Sequence, residues 1–207
     1  MKARNLFLSL AIILTASTLN AQSSADAIVR TYIDKLKSHK NLEWRFTYQF
    51  SLDGKNFNEA QSGKAWLQGE AYRIEMAEQQ NISDGKSIWT YFSEEDEVMV
   101  SNTTDGTDNT PLKLLALLDE NYAATIAKMD SNGICTVELA NPKGQYKRIT
   151  LKINTKTTEI KSADIYMEDG SKMVVNIEEQ KFDQPLDESF FTFDEKAHPN
   201  VEVIDMR

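Results

Sequence analysis

Residue types that commonly carry catalysis occur in this chain, but their spacing forms no recognisable active-site motif. Of the two histidines, His39 lies among lysines at the end of a predicted helix and His198 lies near the C-terminus. No serine lies in a nucleophile-elbow sequence, and no His/Cys spacing matches a zinc site. The single cysteine, Cys135, shares a predicted strand face with Val137 and Leu139, which indicates a buried apolar residue rather than a nucleophile. We therefore predict no enzyme activity, no cofactor and no metal.

Carboxylates are numerous enough that a hydrolase has to be considered. A glycosidase requires two of them across a cleft, and the candidates are Glu43, Glu75, Glu138 and Glu178. Most acidic residues fall on polar strand faces or in turns, which favours a solvated surface instead. The loop 102–109 carries two aspartates near Gly106, but it lacks the ligand spacing and distal glutamate of an EF-hand. An exported, carboxylate-based hydrolase remains the alternative of a different class.

The stronger signal is a surplus of aromatic residues on strands with a two-residue period. Apolar residues occupy the even positions from 44 to 52, and polar or charged residues occupy the odd ones. The packed core of a β-sandwich and the wall of a ligand cavity share this signature, so the pattern alone leaves both open. The aromatic residues in question are Trp44, Phe46, Tyr48, Phe50, Trp66, Tyr72, Trp89 and Tyr91.

These strands belong to a chain that reads as mainly β. Asp84-Gly85 predicts a tight turn, after which Trp89 and Tyr91 point to one face of a strand. Helical spacing predicts an amphipathic helix from Ser23 or Ser24 to about Lys40. Roughly a dozen short strands follow in an antiparallel meander, the last near 201–204. Thr110-Pro111 begins a short second helix at 112–118 that is apolar over most of its circumference.

The N-terminal sequence predicts export of the protein, and the net charge limits the partners that it can bind. Basic residues at 2 and 4, an apolar run from Leu6 to about Leu19 and a small residue at Ala21 are typical of a secretory signal peptide. We expect cleavage near Ala21, which leaves a single domain over 22–207. No cysteine follows the cleavage site directly to carry a lipid anchor, so we expect this domain to be soluble. The formal net charge of −9 argues against nucleic acid as a partner and against docking on anionic lipid.

The order of three sequence blocks resembles the LolA family of periplasmic carriers of outer-membrane lipoproteins. The blocks are Ser83–Tyr91 (SDGKSIWTY), Asn109–Leu112 (NTPL) with the leucines that follow, and Phe191–Phe193 (FTF). The resemblance implies an incomplete, half-open antiparallel β-barrel with a helical lid over a hydrophobic cavity. It also implies a periplasmic location and a monomer that binds the acyl chains of lipoproteins. An inner-membrane lipoprotein-releasing ABC transporter would deliver them, and an outer-membrane acceptor would receive them.

The resemblance also suggests which side chains contact the cargo. The predicted cavity residues are Trp44, Phe46, Tyr48, Phe50 and Trp66 on one part of the sheet and Trp89 and Tyr91 on another. Leucines would form part of the lid: Leu112, Leu114, Leu115 and Leu118. The same fold can also serve as a sensor that reports mislocalised lipoprotein to a membrane partner, and this alternative stays open.

One position departs from the family pattern. An arginine after the tryptophan that corresponds to Trp66 holds the lid shut in the best-known carriers, through backbone carbonyls. This chain has Gly69 at that place, and its next basic residue is Arg73. The arginine latch of the family's lid is therefore not carried over to this chain.

Overall fold

The computed structural model describes residues 24–103, 123–140 and 146–207. One α-helix, α1 (24–37), precedes a twelve-stranded sheet. The helix ends close to where its sequence period stops. The strands are β1 Leu42–Ser51, β2 Gln61–Gln68, β3 Ala71–Glu75, β4 Gln79–Ser83, β5 Ser87–Phe92, β6 Glu97–Asn102, β7 Ala123–Met129, β8 Ile134–Ala140, β9 Tyr146–Asn154, β10 Glu159–Met167, β11 Lys172–Phe182 and β12 Glu202–Asp205.

The strand order is β12-β6-β5-β4-β3-β2-β1-β11-β10-β9-β8-β7, and the sheet is open rather than closed into a barrel. Neighbours are antiparallel throughout, with one exception, because β12 runs parallel to β6. The prediction of a mainly β, half-open antiparallel structure is thus confirmed. The prediction of a simple meander is wrong at two places: β1 pairs with β11, and the last strand returns to the opposite edge of the sheet.

The sheet curls around α1. Strands β3 and β8 stand far apart in the strand order, yet Ile74 and Val137 belong to one hydrophobic cluster with Val29 and Tyr32 of the helix. We call the side of the sheet that faces this cluster the inner face, and the other side the outer face. Cys135 belongs to the cluster and is fully buried, which confirms its predicted place, and burial raises the pKa of its thiol.

The end of α1 is attached to the sheet by polar contacts. Lys35 Nζ donates to the carbonyl oxygens of Thr157 at 2.8 Å and Thr158 at 3.2 Å in the β9–β10 turn. His39 Nδ1 lies 2.7 Å from Asp183 Oδ2 after β11, and its ring stacks on Phe182 with centroids 4.0 Å apart. These contacts hold the helix against the inner face at the end of the sheet where β1 begins.

The C-terminal segment crosses the outer face. It contains two short 3-10 helices, Glu188–Phe191 and Glu195–Ala197, capped by the side chains of Asp187 and Asp194. Phe191 is buried, and the chain then continues into β12 at the edge. Within the described part of the chain, no helix combines the length and apolar character that a membrane crossing requires.

Candidate functional site

The aromatic residues of β1 lie on the inner face, as their alternation predicts. Trp44 and Phe46 are almost completely buried in the cluster around α1. Trp44 Nε1 donates to Gln180 Oε1 at 3.0 Å, which satisfies its indole N–H. These two residues are therefore permanent core, and they close the inner face between α1 and the far half of the strand.

Burial decreases along β1 towards its C-terminal end. Tyr48 and Phe50 are only half-buried, although they point to the same face as Trp44. Tyr48 Oη donates to Gln61 Oε1 at 2.5 Å, and partial burial raises the pKa of the Tyr48 hydroxyl. Phe50 pairs across the ladder with Met173 of β11. The inner face thus has a buried half near α1 and an accessible half at the opposite end.

Three methionines lie on the accessible half of the inner face together with these two aromatic residues. Met76, Met167 and Met173 are half-buried and, like Tyr48, pack against the margin of the core. We call the set of Tyr48, Phe50, Met76, Met167 and Met173 the methionine end. The unbranched, polarisable side chain of Met adapts to ligands of different shape, so this is a surface suited to flexible apolar groups. The sequence pattern did not predict these methionines as site residues, although the sequence places them directly after β3, at the end of β10 and within β11.

Trp66, Trp89 and Tyr91 do not join this surface, because they lie on the outer face. Trp66 is in register with Arg73, Arg73 with Ile82, and Ile82 with Trp89. Register partners share a face, and the neighbour of Trp66, Ala65, belongs to the inner cluster. The expectation that all seven aromatic residues line one cavity is corrected for these three.

Residues of the C-terminal segment cover the outer aromatic residues. The rings of Trp66 and Phe190 meet edge to face at 5.1 Å, and Arg73 lies 5.0 Å above the Phe190 ring. Tyr91 packs on Phe193 and on the ring of His198, at 5.4 Å and 4.6 Å.

The Tyr91 hydroxyl donates to Asp96 at 3.0 Å, and desolvation with this hydrogen bond raises its pKa. His198 is half-buried between the rings of Tyr91 and Phe193. This side of the sheet is a second, closed aromatic core.

The four leucines of the predicted lid, at 112, 114, 115 and 118, lie outside the described residues. Gly69, which replaces the family arginine, has φ +60° in the β2–β3 turn, and no atom lies within 4 Å of the place a Cβ would take. The contacts of Lys35 and His39 described above hold α1 in this chain.

Two of the four carboxylates considered for a hydrolase are engaged by arginines, and two line one cavity. Glu75 accepts from Arg73 Nε at 2.9 Å, and Glu138 from Arg148 at 3.3 Å, so both are engaged in surface ion pairs. A cavity of about 400 Å³ beside β1 and β2 is lined by Glu75 and Glu178 with the basic residues Arg45 and Lys64, and also by the apolar residues Phe46 and Met76. Among the described residues, no group of three or more His, Cys, Asp or Glu side chains could hold a metal ion.

Comparison with known proteins gives the family. The model of the outer membrane lipoprotein carrier protein LolA matches residues 38–194. The chain belongs to the LolA family. A curated relative, the outer-membrane lipoprotein carrier protein of Alkalilimnicola ehrlichii, is 26% identical over 165 residues, which span 78% of this chain and 70% of the relative. The matched family is described as one of carrier proteins.

Solved structures share the LolA fold at low sequence identity. An uncharacterized conserved protein from Thermus thermophilus superposes with a TM-score of 0.54 at 12% identity, covering 86% of this chain and 96% of that chain. A DUF1329 family protein from Desulfovibrio piger gives a TM-score of 0.50 at 13% identity, covering 83% and 97%. At such identities the likeness concerns the fold alone.

Proposed function

We propose that this protein is a periplasmic carrier that binds the acyl chains of lipoproteins at the methionine end and moves them from the inner to the outer membrane. Its N-terminal signal peptide, removed near Ala21, would direct residues 22–207 to the periplasm. A lipoprotein-releasing ABC transporter would load the carrier, and an acceptor at the outer membrane would unload it. Membership of a carrier family supports this role.

The observation that carries the proposal is the gradient of burial along the inner face. Trp44 is almost completely buried, whereas Phe50, further along the same strand face, is only half-buried beside Met173. Each methylene group removed from water contributes about 0.8 kcal/mol, so an acyl chain gains by lying against this surface. The carrier must also release its cargo, and a partly open surface of flexible side chains permits release.

The proposed roles of the sequence-predicted residues change accordingly. Tyr48 and Phe50 would contact the acyl chains directly. Trp44 and Phe46 would form the floor that keeps the chains from entering the core. The leucines Leu112, Leu114, Leu115 and Leu118 are still proposed to cover the cargo, a role suggested by their sequence pattern and the family resemblance.

Binding of an apolar fluorescent probe, followed by its displacement with a diacylated lipopeptide, tests the proposal. We expect the probe to bind at micromolar concentration, the lipopeptide to displace it, and the same peptide without acyl chains to leave it bound. Substituting Phe50→Ser with Met173→Ser should weaken binding by about thirtyfold, because each side chain contributes roughly 1 kcal/mol of contact.

Two matched variants separate this site from other apolar surface. Phe57→Ser removes another partly exposed phenylalanine, 37% exposed, from the β1–β2 loop, and Trp89→Ser removes a half-buried aromatic residue from the outer face. Neither should change probe binding. If Trp89→Ser weakens binding and the Phe50 and Met173 pair does not, the cargo binds the outer face and the assignment is wrong.

A further inference from the structure

A cavity of about 350 Å³ lies at the opposite end of the inner face from the methionine end, between the end of α1 and strands β1 and β2. Its apolar side is formed by Leu36, Leu42 and Leu67, all part of the inner cluster or packed against it. Trp44 and Phe46 are buried between this cavity and Phe50, so the two sites are separate. Its volume is at the low end of the roughly 300–1,000 Å³ typical of small-molecule sites.

The other side of this cavity is basic. Lys37, His39 and Lys40 line it, and none of its described lining residues carries a carboxylate. In the described part of the chain, no acidic side chain forms an ion pair with Lys40 Nζ. This cluster stands out in a chain with a formal net charge of −9. Lysines at a helix C-terminus interact favourably with the helix dipole, but the dipole does not account for a cavity beside them.

Two nearby acidic side chains are directed elsewhere. Asp183 is engaged by His39 Nδ1 at 2.7 Å and by the backbone N–H of Lys40 at 2.7 Å. The Glu70 side chain lies over Gly85 in the next hairpin, its Cβ 3.2 Å from the position a Gly85 Cβ would occupy. The entrance is also open at Gly69, where the backbone carries no side chain.

From this arrangement we propose that the cavity is a binding site for a single-chain anionic amphiphile, with its alkyl chain against the leucines and its carboxylate or phosphate at the basic side, where Lys40 lies. The small volume fits one chain rather than a two-chain lipid. Lysine stems can cover the upper part of the chain while their ammonium groups reach the head group. The site is distinct from the acyl-chain surface proposed above, and its existence does not depend on the carrier function.

Calorimetric titration with twelve-carbon ligands below their micelle concentration tests this site. Dodecanoate and lauroyl lysophosphatidylglycerol represent the two head groups, and monolauroylglycerol is the neutral control. We expect at least one anionic ligand to bind about tenfold more tightly than the neutral one, with the difference shrinking as salt rises because charge interactions are screened. The ligand that shows the preference identifies the head group. Equal affinity for all three ligands would overturn the proposal.

Charge-changing variants locate the anion. Lys37→Glu with Lys40→Glu should abolish the preference for anionic ligands, whereas Lys128→Glu with Lys152→Glu makes the same change in net charge on exposed strand positions and should keep it. If Lys37→Glu with Lys40→Glu lowers the helical signal in circular dichroism, the neutral pair Lys37→Gln with Lys40→Gln is used instead. Equal effects of the two pairs would contradict a local site.

The same titrations distinguish this site from the carrier surface. Gly69→Asn places a side chain at the entrance in a conformation that Asn tolerates, and it should weaken dodecanoate binding. Phe50→Ser with Met173→Ser should leave dodecanoate binding unchanged. If the Phe50 and Met173 pair removes dodecanoate binding and the lysine pair does not, the ligand occupies the carrier surface, and this inference fails while the proposed function stands.

Discussion

At the scale of single residues, the contact between Phe46 and Gly63 shows how tightly the buried half of the inner face is packed. The Phe46 ring lies over Gly63 in the neighbouring strand, its nearest atom 2.5 Å from where a Gly63 Cβ would be. Glycine in a strand interior normally weakens it, so its presence here marks a close approach. The ring fills the space that the glycine leaves.

This packing predicts that Gly63→Ala is destabilising. The added methyl group has to displace Phe46, and overpacking of this kind costs about 1–3 kcal/mol in the free energy of unfolding. Urea denaturation measures the change. Combining Gly63→Ala with Phe46→Leu should cost less than the sum of the single variants, because the smaller side chain makes room. Strictly additive costs would show that the two residues do not compete for the same space.

The two halves of β1 should also differ in what their aromatic residues contribute. Trp44→Ala removes a buried ring and its hydrogen bond to Gln180, which predicts a loss of about 3–5 kcal/mol in unfolding free energy. Phe50→Ala removes a half-buried ring and should cost far less, while it weakens probe binding. Denaturation and probe titration of both variants test this. A large loss of stability from Phe50→Ala would assign Phe50 to the core.

The alternation of residues 44–50 was enough to place four aromatic residues on one strand face. It was not enough to say how deeply each is buried, because that depends on where α1 ends over the sheet. For Trp66 and Trp89, alternation predicted which residues of the same strand share a face, but it did not predict whether that face is the inner or the outer one. Both faces of β2 carry apolar residues, Ala65 inside and Trp66 outside, and only the strand register separates them.

At the scale of elements, α1 depends on contacts with the segment after β11. Asp183 accepts from His39 and from the Lys40 N–H, and both hydrogen bonds hold the pKa of this carboxyl below its ordinary value of 3.8. Asn41 adds two contacts to Gln184, one as donor to its carbonyl and one as acceptor from its N–H. The end of the helix is therefore fixed by residues that are distant in the sequence.

The lowered pKa of Asp183 predicts a defined pH dependence. A carboxyl whose folded pKa is lowered stabilises the fold above its unfolded pKa, and the contribution is lost as pH falls through the folded pKa. The difference in stability between the wild type and Asp183→Asn should shrink as the pH falls below about 4. Denaturant unfolding across the acidic range checks this. A difference that grows on acidification would contradict the assigned hydrogen bonds.

The C-terminal segment should act as structure rather than as part of the cargo site. Phe191 is 1% exposed and packs against Phe190 with ring centroids 5.3 Å apart. We expect Phe191→Ala to cost about 3–5 kcal/mol of stability, as for other buried phenylalanines. Probe affinity of the folded variant should be unchanged. Loss of probe binding without loss of stability would place the cargo under this segment.

The sequence predicted these elements better than their arrangement. Strand β12 was expected near residues 201–204 because of its alternation, and the structure has it at Glu202–Asp205. Its parallel pairing with β6 could not be predicted from the sequence, because the pairing depends on the path of the Phe190–Phe193 segment across the outer face. The same segment explains why aromatic residues on that face need no ligand to be covered.

At the scale of the whole molecule, the curved sheet presents one inner face with different properties at its two ends. One end is closed by α1 and has a small cavity with a basic rim, and the other end carries Tyr48, Phe50 and three half-buried methionines. The family resemblance predicted the open sheet. It did not predict which residues remain accessible, because accessibility follows from where the helix covers the sheet.

The central claim is that acyl chains bind at the methionine end, and NMR of the protein labelled with ¹³C-methyl methionine tests it most directly. Titration with a diacylated lipopeptide should shift the signals of Met76, Met167 and Met173. The signal of Met206, a 50% exposed residue beyond β12, should not move, and the unacylated peptide should move none of them. Unchanged signals at Met76, Met167 and Met173 under saturating lipopeptide would contradict the account.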